Sequence, residues 1–282
     1  NGNKSRADVL ALQEKKLRKL LFYAYDHSEY YRARFARAGI ARTQLAFLPL
    51  GALPALDKRD LTAHFDELIT VPGVTQAALR RFDEAEGPRQ RTYRGCHVVH
   101  SSGSTGAPAY FLYDEPAWNA MLSGILRGAL WGMSLPEVLG LLAGRPRILY
   151  IAATNGRYGG AMAVGDGIDG VGARQLFLDI NTPLHEWPGR IEAFRPNLVI
   201  GYPSAMKILA DLVADGGLRL ELRRAVTCGE PLSPGMRRYL EGVMHADVVN
   251  FYGAGESLAL GVEGAGERGI TLFDDLNVVE VV

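Results

Sequence analysis

Behind the apolar, strand-prone lead-in Val99-His100, the stretch Ser101-Ser102-Gly103-Ser104-Thr105-Gly106-Ala107-Pro108 alternates hydroxyl side chains with glycines. Glycine lets the backbone turn tightly and approach a ligand closely. Successive backbone N–H groups in such a turn form an anion-binding concavity, and the hydroxyls add donors. These residue types point to a phosphate cradle. It is not the Gly-x-x-x-x-Gly-Lys-Ser/Thr loop of many nucleotide-binding proteins, because Ala107 follows Gly106. An ordinary turn rich in small residues would carry the same letters.

Two further stretches could act with it. In Asn250-Phe251-Tyr252-Gly253-Ala254-Gly255-Glu256, Tyr252 offers an aromatic face on which a purine can stack and Gly253 allows a turn. Glu256 supplies a carboxylate for Mg²⁺, which binds through one or two carboxylates plus phosphate oxygens. A buried strand ending in a charged loop is the plainer reading of the same residues. Thr227-Cys228-Gly229-Glu230-Pro231-Leu232 is, taken alone, a strand-to-loop turn.

Other residues invite chemistry and do not carry it. Gly201-Tyr202-Pro203-Ser204-Ala205 lacks the final glycine of a nucleophile elbow and has proline before the serine; Ser204 is better placed as a helix cap. His97 and His100, three apart in a strand, fall on opposite faces and do not chelate. No Cys/His cluster has zinc spacing. Trp118, Trp131 and Trp187 read as core.

The elements that must position these groups follow from periodicity. Leu10, Leu17, Leu20, Leu21 and Ala24 recur at helical spacing, so a helical stretch is expected from Ala7 to about Phe35. Asp57 and Asp60 form an imperfect capping box. The polar run Asp83–Arg94 marks a boundary, giving a helical subdomain over 1–90 and an α/β core over 91–282. In the core, Arg147–Ala152, Leu198–Tyr202, Arg224–Cys228 and Val248–Tyr252 read as strands. Between them lie amphipathic helices, one opened by Ser233-Pro234. Repeated strand–helix–strand units imply parallel strands with right-handed crossovers. Ligands then bind outside the carboxyl ends of those strands, and all three loops are expected at such ends.

Composition sets outer limits. Across 282 residues, 48% are hydrophobic and 22% charged, enough for a sizeable core. Lys+Arg and Asp+Glu are equal at 31 each, which argues against nucleic acid as a main partner. No apolar run is long enough to span a membrane; the longest candidate, Met121 to Leu142, is broken by Arg127, Gly132, Pro136 and Glu137. Two distant cysteines, Cys96 and Cys228, suit a reducing compartment, and a cytoplasmic location is expected. The ending Glu280-Val281-Val282 reads as a strand cut short, so a fragment is expected.

The three stretches, in this order, resemble the motifs of the AMP-forming adenylate-forming (acyl-CoA synthetase) superfamily: its Ser-Ser/Thr-Gly-Ser/Thr-Thr-Gly-x-Pro loop, its Gly-Ala/Gly-Glu-Pro turn and its Asn-x-Tyr-Gly-x-Thr-Glu segment. Leu12–Ala24, Tyr30–Phe35, Leu53–Leu61, Arg195-Pro196-Asn197-Leu198 and Gly201-Tyr202-Pro203-Ser204 are similar to the phenylacetate–CoA ligase branch. The resemblance implies the large N-terminal domain of that fold. It implies ATP-dependent activation of a small, aryl or arylacetic, carboxylic acid as an acyl-adenylate, then transfer to a thiol such as CoA. By the same resemblance, Ser101, Ser102, Gly103, Ser104, Thr105 and Gly106 cradle the β- and γ-phosphates, with Thr105 and Glu256 catalytic. Gly229, Glu230 and Pro231 border adenine, beside Asn250, Phe251 and Gly253, and Tyr252 stacks on the base. Glu256 holds Mg²⁺. Tyr158, Gly159, Tyr202 and Asn250 lie near the acid.

Three departures stand out. Ala107 replaces a frequent lysine, Gly255 replaces threonine, and the family's mobile C-terminal domain with its catalytic lysine would follow Val282. That domain is an expected partner, and a homodimer is possible. Two alternatives stay open: a nucleotide-binding homologue without turnover, and an adenylating enzyme using another small oxyanion or acceptor.

Overall fold

The computed structural model describes residues 5–86, 92–101, 108–154, 156–166 and 172–280. Ser102 to Ala107 lie outside them, so the expectations placed on Ser102, Gly103, Ser104, Thr105 and Gly106 also lie outside the described residues. The chain divides into two compact units. One comprises Asn1–Tyr93, Ser101–Tyr110 and Asp274–Val282; the other comprises Arg94–His100 and Phe111–Phe273.

The first unit is helical, with α1 (Arg6–His27), α2 (Glu29–Arg37), α3 (Lys58–Ala63), α4 (Phe65–Leu68) and α5 (Gln76–Glu86). Leu21, Phe35, Ile40 and Leu45 form its buried centre. The stretch Ala7–Phe35 is helical as expected, in two helices. Ser28 breaks it: fully buried, it accepts from the Tyr31 N–H as the cap of α2 and donates to the Glu67 carbonyl. Asp57 caps α3, with Asp60 completing the box as expected. Lys16 and Gln13 of α1 hold the carbonyls of Asp275 and Asn277 at 2.6 and 2.7 Å. Residues 277–280 form no strand; Val281 and Val282, on which the expectation of a strand at the Glu280 ending also rests, lie outside the described residues.

The second unit is α/β. Its main strands are β4 (Arg147–Ala152), β5 (Arg174–Asp179), β6 (Leu198–Gly201), β7 (Arg224–Cys228), β8 (Asp247–Tyr252), β9 (Gly261–Glu263) and β10 (Thr271–Leu272). Among the described residues they form one sheet in the order β10-β9-β8-β7-β6-β4-β5. The four pairings from β5 to β8 are parallel; β9 and β10 are antiparallel additions. Helices α6 (Glu115–Ala129), α7 (Leu135–Ala143) and α8 (Gly159–Asp166) precede α9 (Trp187–Phe194), α10 (Pro203–Ala214) and α11 (Pro234–Met244) in sequence. Period-two alternation divides β4 between two cores. Leu149 and Ile151 meet Trp187, Ile191, Met206, Leu209 and Leu240 on the α9–α11 side. Ile148, Tyr150 and Ala152 meet Val164 of α8 on the other.

Strand β2 (Cys96–His100), which leads into the Ser101 loop, pairs with β3 (Tyr110–Tyr113) in a separate small sheet next to β1 (Thr92–Tyr93). Only two of the three motif loops therefore follow strands of the parallel sheet. Ser204 is not a cap: α10 starts at Pro203 with Tyr202 in the cap position, because proline's fixed φ suits the first helical residue. Ser233 does cap α11. Among the described residues, no helix is long and apolar enough to cross a membrane.

Candidate functional site

Register decides what the parallel strands deliver. Ile151, Gly201, Thr227 and Asn250 stand side by side across β4, β6, β7 and β8. At or beyond this row β6 ends at Gly201, β7 at Cys228 and β8 at Tyr252, so Tyr202, Gly229-Glu230-Pro231 and Gly253 to Glu256 all follow the carboxyl edge of three adjoining parallel strands.

Tyr202 and Gly229 form the first contact. Gly229 has φ +79°, and a Cβ there would lie 2.8 Å from the Tyr202 ring. Only glycine gives both the left-handed turn and this approach. The Tyr202 phenol is held above its ordinary pKa, mainly by burial, although the Ala153 N–H bonds its oxygen. Glu230 is committed to the start of α10: its carboxylate accepts from the Ser204 N–H at 3.0 Å and hydroxyl at 2.9 Å. A carboxylate is stabilised at a helix N-terminus, and the Tyr202 cap position supplies no side-chain bond of its own. What this turn leaves for a ligand is the backbone of Gly229–Pro231.

Asn250 is also occupied. Thr227 Oγ1 lies 3.1 Å from its amide oxygen and 3.3 Å from the Val249 carbonyl. The Asn250 side chain bonds Glu263, which also takes Arg237 at 2.7 Å and the Gly269 N–H at 3.2 Å. Burial pushes the Glu263 carboxyl up, but these donors outweigh it and hold it below its ordinary range. Sequence reading missed Thr227, Glu263 and Arg237 in this role. The only signal was a hydroxyl and an amide at matching places on neighbouring strands, which requires the register to be known. Phe251 points the other way, as alternation demands: its ring packs where a Gly128 side chain would otherwise stand, and near Phe273. Tyr252 is 44% exposed, an open aromatic face at the strand's end.

Glu256 is exposed on a tight turn closed by reciprocal Ala254 and Ser257 backbone bonds of 2.9 and 3.1 Å. A Cβ on Gly253 would meet the Leu258 carbonyl at 2.4 Å, so glycine is required there. Gly255 has its own reason. The Phe111 ring fills the space of a side chain, 2.7 Å from where a Cβ would be, and the Tyr113 hydroxyl donates to the Gly255 carbonyl at 2.6 Å. Burial, then the Glu256 charge, raises the Tyr113 phenol well above its ordinary pKa.

Gly159, at the start of α8, packs so closely on Leu258 that a Cβ would lie 2.3 Å from it. This ties the Tyr158-Gly159 segment to the Glu256 turn. The Tyr158 ring sits 4.9 Å from that of His100, whose Nε2 accepts the Arg157 N–H at 2.8 Å. His97 instead stacks on Trp118 at 4.3 Å. At the other motif, the Ala109 N–H reaches Ser101 Oγ at 3.0 Å and the Ser101 N–H reaches the Ala109 carbonyl at 2.9 Å. Those bonds clamp the two ends of the hydroxyl/glycine loop together.

Among the described residues, no group of three His, Cys, Asp or Glu side chains could hold a metal. A lone exposed carboxylate does fit Mg²⁺ held partly by phosphate oxygens. Cys228 is half-buried at the end of β7; burial, with Glu230 nearby, pushes its thiol up to about 12, and burial raises Cys96 too. Its thiolate fraction at pH 8 should be about a thousandfold below that of a thiol at its ordinary value. Iodoacetamide is expected to spare both cysteines in the native protein and label both after denaturation. Rapid native labelling of Cys228 would contradict this placement.

No family model matches the chain. Among curated proteins, it is 28% identical to phenylacetate–coenzyme A ligase of Thermus thermophilus over 98% of this chain and 58% of that protein. It is 24% identical to the enzymes of the same name from Aromatoleum evansii and Escherichia coli, over 92% and 90% of this chain. The chain resembles the phenylacetate–CoA ligase branch of the adenylate-forming superfamily. Among solved structures, 2-hydroxyisobutyryl-CoA ligase in complex with its acyl-AMP and CoA superimposes with a TM-score of 0.70 over 95% of this chain and 54% of that one, at 20% identity. The fold is thus that of the adenylate-forming enzymes: a helical N-terminal region and a mainly parallel sheet. The chain spans between half and three fifths of the length of these phenylacetate–CoA ligases.

Proposed function

We propose that this chain is the nucleotide- and acid-binding part of an AMP-forming acid–thiol ligase. A carboxylate oxygen of a small acid attacks the α-phosphorus of ATP, and the bond to pyrophosphate breaks. A thiol such as CoA then attacks the acyl carbon, and AMP leaves. The observation that carries this reading is that three adjoining parallel strands end at Gly201, Cys228 and Tyr252, which brings Tyr202, Gly229–Pro231 and Gly253–Glu256 past one carboxyl edge with Tyr252 at the end of its strand. The similarity to phenylacetate–coenzyme A ligases over nearly the whole chain supports it.

In this reading Tyr252 stacks on adenine, with the backbone of Gly229–Pro231 at its edge. Ser101 to Gly106 hold the distal phosphates, with Thr105 contributing a hydroxyl. Tyr158, Gly159 and Tyr202 line the acid, and Asn250 orients that wall through Thr227 and Glu263. Glu256 would hold Mg²⁺, which would neutralise charge on the phosphates. Catalysis of this kind is positioning and charge stabilisation. The parent protein works in the cytoplasm on an aryl or arylacetic acid.

Full-length protein is expected to exchange labelled pyrophosphate into ATP only when a member of a panel of aryl and arylacetic acids is present. Silence with every acid, together with no ATP binding, would overturn the reading. Gly255 favours a second reading: with Phe111 in the place of a hydroxyl-bearing side chain, a homologue that binds ATP without turnover would show binding and no exchange.

A further inference from the structure

On the α8 side of the sheet a cavity of about 120 Å³ lies among α6, α7, α8 and the strands. Every residue lining it is apolar; Ile125, Leu130, Ile148, Ala163, Ile200 and Val226 are among them. Its outer end is at Leu126 and Leu142, both partly exposed. An enclosed apolar cavity only somewhat larger, about 150 Å³, stays dry and binds benzene.

Tyr150 packs against residues that line this space. It follows Ile148 on the same face of β4, one step nearer the carboxyl edge, with Phe177 and Ile200 beside it in register. It is almost fully buried, and its hydroxyl lies 2.7 Å from where a Gly160 Cβ would be, so the ring reaches from the sheet to the first turn of α8. A single packed group contains Tyr150, the cavity residues Ile148, Val164, Ala173, Leu198 and Ile200, and Tyr202 of the site. Tyr150 itself does not line the cavity.

We propose that Tyr150 is the floor of the acid pocket and restricts the enzyme to short acids, with an apolar space for a longer hydrocarbon tail sealed behind its ring. This rests on the acid-activating function proposed above. Tyr150 touches neither phosphate nor carboxylate in that reading; it sets specificity by occupying volume. Opening the floor joins the two spaces, and each methylene then buried raises kcat/KM by about fourfold.

The test uses full-length protein in pyrophosphate exchange, comparing 5-phenylpentanoate with phenylacetate. In Tyr150→Leu the ratio of kcat/KM for the longer acid over the shorter should rise by about sixtyfold across three added methylenes. Tyr150→Phe, which keeps the ring, should hold the wild-type ratio. Adding Ala163→Leu to Tyr150→Leu refills the cavity and should remove most of the gain. If Tyr150→Leu does not fold, Tyr150→Met, which is flexible and unbranched, is scored by the same ratio. An unchanged ratio in a folded opening variant, with wild-type exchange intact, would overturn this proposal alone. No exchange by wild type with any acid would overturn the functional reading and this proposal with it.

Discussion

Replacing Glu256 with glutamine is expected to lower pyrophosphate exchange by the full-length protein by about 10²–10³-fold, the usual effect of removing one charge-stabilising group at a reacting phosphoryl or acyl centre. The turn should survive the change. Its geometry rests on the Ala254–Ser257 backbone pair, on the Gly253 backbone against Leu258, and on the Tyr113 hydroxyl at the Gly255 carbonyl. None of these uses the Glu256 carboxylate. The melting temperature should therefore move little, as for exposed substitutions in general, while the Mg²⁺ concentration needed for half-maximal exchange rises. A loss smaller than about threefold would remove Glu256 from the metal role.

Gly201→Ala should have the largest effect on stability, about 3 kcal/mol or more, because overpacking against rigid backbone cannot relax. An added Cβ would lie 2.2 Å from the Ile151 carbonyl oxygen and 3.1 Å from its carbon. Gly201 and Ile151 are register partners in adjacent parallel strands, and the same carbonyl takes the Tyr202 N–H at 3.2 Å. Relief would require β4 and β6 to part at the level where the site begins, displacing Tyr202. Gly235→Ala is the contrast: in the first turn of α11, with open space around it, alanine should stabilise by about 0.5–1 kcal/mol. Urea unfolding of the two variants measures both, and equal stability would contradict the packing described.

The parallel strands were legible because buried strands read as short apolar runs between Gly/Pro punctuation, and β4, β6, β7 and β8 do so. The helix boundary at Ser28 was not, since Leu21 and Phe35 keep helical spacing through a break that a tertiary bond to Glu67 stabilises. Gly229, Tyr252 and Glu256 could be assigned from letters alone, as a turn, an aromatic face and a carboxylate. The commitment of Glu230 to Ser204 and of Asn250 to Thr227 and Glu263 could not. Those partners are 26, 23 and 13 residues away and meet only through the sheet's register. Gly255 read as a lost hydroxyl; its cause, the Phe111 ring, sits on another strand. Tyr150 had no sequence signal, because a floor exists only once the cavity beneath it does.

In the proposed reaction a carboxylate oxygen is delivered to the α-phosphorus of ATP at the carboxyl edge of this sheet. The most direct measurement follows that oxygen. Full-length protein turning over ATP, CoA and an arylacetic acid with ¹⁸O in both carboxyl positions should release AMP carrying one ¹⁸O in its phosphate. AMP without the label, or label in pyrophosphate or inorganic phosphate, would contradict it.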